Sequence, residues 1–255
     1  MIDNREEYSR MFEVERNLWW YQVLHGTVLA QLKKYFGEKY TDLKILDAAC
    51  GTGGLLSILR DQGYNHISGF DYSQHAIDFS LERNLDVRFG DLRKVDEFRP
   101  GEKFDVIICN DALYFLSDQE IETALLHFKS RLTQRGVVLI NIHAFNAFMG
   151  THDLAVGSTR RFTFADFKRY TKAANMMVLY HTYWPFFLSI PILVVRQWQR
   201  FQLKRKAINP EKLDSDISYP GNLINSLLRT ITKTEQVVLG KAPFGSSLFL
   251  VLKGK

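Results

Sequence analysis

Hydrophobic and polar positions along this chain follow two rhythms. Short apolar runs at 43–46, 67–71, 86–89, 104–110, 137–142, 176–184 and 248–252 have the length of strands, and 104–110 (F-D-V-I-I-C-N) is apolar enough to be buried on both faces. Between them lie stretches with helical spacing. Residues 6–36 read as two helices, with Leu24, Val28 and Leu32 four apart. Ser117 followed by Glu120 makes a capping box that opens a helix reaching Leu132, Arg135-Gly136 closes it, and Thr163 with Asp166 opens another. Residues 222–239 are amphipathic again. Strands alternating with helices predict an α/β domain with a doubly wound, mainly parallel sheet.

The stretch 45–56 reads I-L-D-A-A-C-G-T-G-G-L-L. A strand stops at Asp47, small residues make a turn, and a helix begins near Leu55. Gly51 and Gly53 lack a Cβ, so the backbone can bend sharply and a ligand can approach it closely, beside the free N–H groups of the helix start. The dinucleotide fingerprint G-x-G-x-x-G needs a third glycine where this chain has Leu56. Asp47, four residues before Gly51, would repel a pyrophosphate but suits a nucleoside carrying an ammonium and a sulfonium, which is the chemistry of S-adenosylmethionine. Asp71 ends the next strand 20 residues after Gly51, where a carboxylate can accept both hydroxyls of a ribose.

In these residues the chain resembles the class I S-adenosylmethionine-dependent methyltransferases, whose first motif is an acidic residue, small residues and a G-x-G turn. The resemblance implies a Rossmann-like sheet of seven strands, the last antiparallel, with N-terminal helices over it and a helical insertion before the last strand. It implies methyl transfer from S-adenosylmethionine, with S-adenosylhomocysteine as product. It places Asp47, Ala49, Gly51 and Gly53 at the cofactor turn, Ala49 standing where the family commonly has glycine. It places Asp71 on the ribose, Tyr72 against adenine, and Asp91 near the adenine amino group with the Leu92 N–H beside a ring nitrogen. Asn110 falls in the loop that positions donor and acceptor. Trp20, in the run Leu18-Trp19-Trp20-Tyr21, reads either as core packing or as part of a lid whose aromatic face favours a sulfonium.

Relatives often carry a glutamate-histidine pair where Tyr114 and Phe115 stand, so this chain offers its acceptor an aromatic wall instead of a base at that point. The segment N-I-H-A-F-N-A-F-M-G-T-H-D-L-A-V-G-S-T-R-R-F-T (141–163) resembles a subfamily pattern of N-x-P-A, then H-D, then G-H-x-R-R-Y-T. His143 replaces the proline and Ser158 the second histidine. His152, His143 and Tyr114 are the catalytic candidates. His152 beside Asp153 has the chemistry of a general base; the alternative is a loop anchor in which Arg160 or Arg161 holds Asp153.

Residues 185–195 are apolar, interrupted by Pro191 and too short to span a bilayer, and 196–206 continue as a basic helix with Trp198 and Phe201. Such a stretch lies on a membrane surface, roofs an apolar substrate site, or packs as a core or homodimer helix. A polar linker is expected at 208–219. The domain reading is a helical cap over 1–40, a cofactor-binding core over 41–184, an acceptor lid over 185–240 and the last core strand over 241–255.

With 255 residues, 46% of them hydrophobic, one decorated domain is expected. The net charge of +5 is spread along the chain, so a small-molecule or sugar-containing acceptor is expected and no nucleic acid; the alternatives are a lipid-linked or nucleic-acid acceptor, or a non-catalytic S-adenosylmethionine-binding partner protein. Cys50 and Cys109 show no metal-ligand spacing and read as reduced core thiols of a cytoplasmic protein, with no metal implied. The charged start M-I-D-N-R-E-E-Y predicts no signal peptide.

Overall fold

The computed structural model describes residues 4–37, 41–205 and 217–255. Most of the linker expected at 208–219, and Lys206 of the basic run, lie outside the described residues. Two helices come first, α1 (Arg5–Val14) and α2 (Trp19–Phe36). The chain then forms β1 (Ile45–Ala48), α3 (Gly54–Asp61), β2 (Ile67–Asp71), α4 (Gln74–Glu82), β3 (Val87–Phe89), β4 (Phe104–Asn110), α5 (Asp118–Arg131) and β5 (Leu132–His143). It ends with α6 (Thr151–Ala155), α7 (Phe164–Ala173), β6 (Met176–Trp184), α8 (Ser189–Lys204), α9 (Asn222–Leu239) and β7 (Ser247–Gly254).

The seven strands make one sheet in the order β3-β2-β1-β4-β5-β7-β6. Strands β1 to β5 run parallel, and β7 is antiparallel to both β5 and β6. This is the doubly wound, Rossmann-like sheet expected from the sequence. Chain order reverses between β1 and β4, so the crevice of the fold lies beyond their carboxyl ends. Asp47, Asp71, Asn110 and His143 sit at or near the ends of parallel strands, so topology alone brings them to one rim.

Apolar side chains cover both sheet faces. On one, Leu24, Val28 and Leu32 of α2 pack with Ile45, Ile108 and Leu139. On the other, Ile121, Leu125 and Phe128 of α5 and Phe167 and Tyr170 of α7 pack with Ile107, Val138 and Ile140. Each such aliphatic side chain contributes about 1.5–3 kcal/mol by burial, which fixes the strand ends that form the rim.

Two boundaries differ from the sequence pattern. Helix α5 stops at Arg131 and β5 starts at once with Leu132, although the apolar run begins only at Val137. The reason is an irregular pairing: Leu132 opposes Phe104, the register then shifts, and Val137 opposes Val106. Gly136 sits in that irregularity because a Cβ there would lie 3.0 Å from Leu132 and from the Phe104 carbonyl oxygen. The second difference is that 189–204 is one continuous helix despite Pro191. The proline occupies the first turn, where its missing N–H has no intrahelical partner to lose.

Candidate active site

The rim opens into a cavity of about 920 Å³. Its floor is the turn after β1. Ala49, Gly51 and Gly53 all take positive φ, at 64°, 56° and 78°. The left-handed conformation costs alanine about 1 kcal/mol that glycine does not incur, so Ala49 holds its place under modest strain. Gly51 faces the cavity, with Met11 Sδ of α1 3.2 Å from where its Cβ would be. Gly53 turns the other way. A Cβ there would sit 2.5 Å from Leu85 Cδ1 and 2.9 Å from Ser80 Oγ, so it serves the turn and its packing and does not line the cavity.

Asp71 staples this turn to the end of β2. Its Oδ2 accepts the Gly51 N–H at 2.8 Å and its Oδ1 accepts the Ser73 N–H at 2.9 Å. An ionised carboxylate has about four lone-pair sites, so each oxygen keeps capacity for a ribose hydroxyl. Asp47, buried below the turn, has its pKa pushed up to about 8 by burial first and then by Asp71 and Glu15. Three carboxylates crowd around one glycine turn, and a cation placed there would relieve their mutual repulsion.

Glu15, from the segment joining α1 to α2, has no signal in the local sequence pattern, yet it occupies the N-terminus of α3. Its carboxylate accepts from Thr52 Oγ1 and from Arg83 Nη1. It also accepts a backbone hydrogen bond from Gly54, and its pKa is raised by burial, the Arg83 charge opposing the rise. A Cβ on Gly54 would lie 2.3 Å from that carboxylate. A pyrophosphate would need these same helix N–H groups, and Glu15 already fills the place. Arg83 also donates to the Phe12 carbonyl at 2.8 Å, which bolts the N-terminal helices over the crevice.

Tyr72, Asp91 and Leu92, the residues expected at an adenine, line the cavity. The Asp91 carboxylate is engaged locally, accepting the Arg93 side chain at 2.7–3.0 Å and the Arg93 N–H at 2.9 Å. Burial pushes the Asp91 carboxyl up, but the hydrogen bonds from the Arg93 side chain and N–H, with the Arg93 and Lys94 charges, together outweigh it and hold the carboxyl below its usual range. Trp20 stacks on Trp184 with ring centroids 5.4 Å apart, which is core packing, and the same residue forms part of the cavity wall.

The far end of the cavity brings together all three catalytic candidates. Tyr114 stacks on His143 with centroids 5.0 Å apart, and His152 lies 5.6 Å from His143, ring to ring. Burial, then Arg161, His152 and Arg196, hold His143 well below the usual imidazole range, so it is neutral at pH 7. Asp153 is anchored: Arg161 donates to it at 2.7 and 3.0 Å and the Gly150 N–H at 2.8 Å. This is the loop-anchor alternative, with Arg161 as the arginine.

Asp111, which the sequence did not single out, completes this end. Asn141 Nδ2 donates to its Oδ2 at 2.7 Å, and Trp184 Nε1 fixes Asn141 at 2.9 Å. The backbone is held at φ 48° with its N–H donating to the Asn141 carbonyl at 2.8 Å. Asp111 Oδ1 is buried without a hydrogen bond, 3.7 Å from His143 Nε2, and the Asn110 Oδ1 beside it is likewise buried without one. Buried polar atoms normally have partners, so these two acceptors point to donors supplied by ligands. Burial pushes the Asp111 pKa up to about 7, opposed by the Asn141 hydrogen bond and the Arg161 charge. A positive φ at a loop aspartate was the only feature that would have flagged it, and φ is not visible in a sequence.

Among the described residues no cluster of His, Cys, Asp and Glu is placed to hold a metal ion.

The family model described as a methyltransferase domain matches residues 20–187, and the chain belongs to that family. Among curated relatives, a ubiquinone biosynthesis O-methyltransferase of Rickettsia bellii is 25% identical over 155 residues, which cover 54% of this chain and 62% of that protein. The chain thus spans less than two thirds of the relative's length. A solved S-adenosylmethionine-dependent methyltransferase from Clostridium acetobutylicum superposes with a TM-score of 0.56 at 13% identity, covering 92% of each chain. One from Archaeoglobus fulgidus gives 0.56 at 13% identity, covering 90% of this chain and 94% of that one. These likenesses establish the class I methyltransferase fold. Family and fold together make S-adenosylmethionine the cofactor, and the residues fit it: a close-approach glycine, a carboxylate with free lone pairs, crowded acids that favour a cation, and an unpartnered Asn110 carbonyl.

Proposed function

We propose that the protein methylates a hydroxyl or amine of a small-molecule acceptor, with S-adenosylmethionine as donor. The observation that carries this reading is the second polar end of the cavity, where Asp111 Oδ1 is buried, unpartnered and next to a neutral histidine. The name of the ubiquinone biosynthesis relative supports an O-methyltransferase in particular. On this reading Asp47, Asn110 and the Gly51 turn hold the methionine portion, Asp71 the ribose, and Tyr72, Asp91 and Leu92 the adenine. The N-terminal helices, Leu188 ahead of α8, and α9 close the acceptor side, since Trp20, Leu188 and Leu228 all contribute wall.

When bound, S-adenosylmethionine supplies an electrophilic methyl group whose transfer leaves the bonding pair on sulfur. What remains for the chain is alignment and the acceptor's proton. Asp111 takes that proton, because its pKa near neutrality matches acceptance at pH 7 better than the depressed His143 does. His143 orients the acceptor, Tyr114 fixes the His143 ring by stacking, and His152 closes the far wall.

The test is incubation with isotopically labelled donor and a small-molecule extract, followed by mass spectrometry. With the donor saturating at every pH, formation of the labelled product should fall about tenfold per pH unit below about 7, since Asp111 must be ionised to act. Around Asp111 lie His143, which burial keeps neutral, and Tyr114, Tyr21 and Cys109, each pushed well up by burial, so none of these changes charge near pH 7. Asp111→Asn should remove this acid limb and most of the turnover. A labelled product formed at the wild-type rate by that variant would exclude Asp111 as the proton acceptor.

A further inference from the structure

Helix α8 presents two adjacent flanks with different surroundings. Through Pro191, Ile192 and Val195 it forms wall of the cavity. The neighbouring flank carries Ile190, Val194, Trp198 and Phe201, spaced four, four and three residues apart and therefore aligned in one stripe. These side chains are 74%, 64%, 59% and 44% exposed. Single exposed apolar residues are ordinary, but a continuous stripe ending in two aromatics marks a contact surface.

Charge decides what the surface meets. Every charged residue of 189–205 is basic: Arg196, Arg200, Lys204 and Arg205. Arg200 is turned inward, its Nε donating to the Met149 carbonyl at 2.9 Å. Lys204 and Arg205 are exposed at the end of the stripe, and the Arg205 guanidinium lies 4.2 Å from the Phe201 ring centroid. An apolar stripe bearing Trp and Phe beside Lys and Arg is the composition of a helix lying in the plane of an anionic lipid surface. Two copies meeting through this stripe would find no acidic side chain on the helix to answer those charges. No helix among the described residues is long and apolar enough to cross a membrane, so any lipid contact of α8 is peripheral.

We propose that α8 docks on an anionic lipid surface through the Ile190–Phe201 stripe, and that the acceptor is an amphipathic molecule entering the cavity past the flank of Pro191, Ile192 and Val195. This rests on reading the cavity as the methyltransferase site. Helix α9 adds apolar surface next to the cavity, with Leu228 in the wall and Leu223 and Leu227 exposed on preceding positions.

The experiment is co-sedimentation of the full chain with vesicles of phosphatidylcholine alone and of phosphatidylcholine with an equal part of phosphatidylglycerol, at low salt. Binding to the anionic vesicles and little to the neutral ones is expected. Lys204→Gln with Arg205→Gln should weaken anionic binding roughly thirtyfold, about fivefold per basic residue. Val194→Glu with Trp198→Ser should abolish it. Calorimetric binding of S-adenosylhomocysteine should be the same in wild type and all variants, which verifies folding. Loss of that binding in wild type would instead strike at the cofactor reading. The proposal is overturned if wild type stays in the supernatant with anionic vesicles. It is equally overturned if sedimentation velocity shows a dimer that Val194→Glu dissociates while vesicles capture nothing.

Discussion

Cofactor binding should be coupled to release of a proton from Asp47. Its carboxyl is pushed up to about 8, by burial first and by Asp71 and Glu15 after it, so at pH 7 about nine tenths of the free protein carries it protonated. A cationic ligand favours the ionised form and draws the pKa back down. The sign follows: affinity is weakened at low pH, rises with pH, and levels off above about 8. For a pKa of about 8, linkage gives about a ninefold gain in affinity from pH 6 to 7, about fivefold from 7 to 8 and less than twofold from 8 to 9. Asp71 and Glu15, also raised by burial, titrate beside it and steepen the acid end. The assay is isothermal titration with S-adenosylhomocysteine across this range, repeated in buffers of different ionisation heat to count protons. Asp47→Asn should flatten the profile between pH 7 and 8. An affinity independent of pH in wild type, or an unchanged slope in the variant, would refute the reasoning.

Three further outcomes follow from the same turn. Asp71→Asn replaces one carboxylate oxygen with an amide donor facing a backbone N–H and removes bidentate acceptance of the ribose, so S-adenosylhomocysteine affinity should fall about 30- to 1000-fold by calorimetry, at about 2–4 kcal/mol for charge-assisted bonds. Ala49→Gly should leave stability in urea unchanged or raise it by up to about 0.6 kcal/mol, because relief of the positive φ, about 1 kcal/mol, is offset by about 0.4–1 kcal/mol of added freedom in the unfolded chain. Glu15→Ala leaves Arg83 buried without its ion pair and should cost about 3 kcal/mol in the same melt; with Arg83→Ala added, the double variant should lose clearly less than the two losses combined.

Local periodicity revealed most of this fold. The runs at 104–110 and 176–184 and the helix at 222–239 coincide with β4, β6 and α9, because long buried or amphipathic elements carry their period with them. The start of β5 was hidden, since 132–136 is extended by pairing with β4 and not by its own composition. At the site, Asp47, Gly51 and Asp71 were legible through fixed spacing around one turn. Glu15 and Asp111 were not. Glu15 reaches its partners Thr52 and Arg83 across 37 and 68 residues, and Asp111 matters through Asn141, 30 residues on. Such contacts leave no trace in a local pattern. Gly53 shows the converse, a position correctly placed in the turn whose close neighbours are Leu85 and Ser80 and not the cavity.

Three acids gathered at a glycine bend, one of them filling the helix N-terminus, are the physical basis for preferring a cationic nucleoside to a diphosphate. Parallel calorimetric titrations with S-adenosylmethionine, S-adenosylhomocysteine and NADH measure that preference directly. Saturable binding of the first two and no heat from NADH is the predicted result; NADH binding as tightly as either, or neither sulfur nucleoside binding, would contradict it.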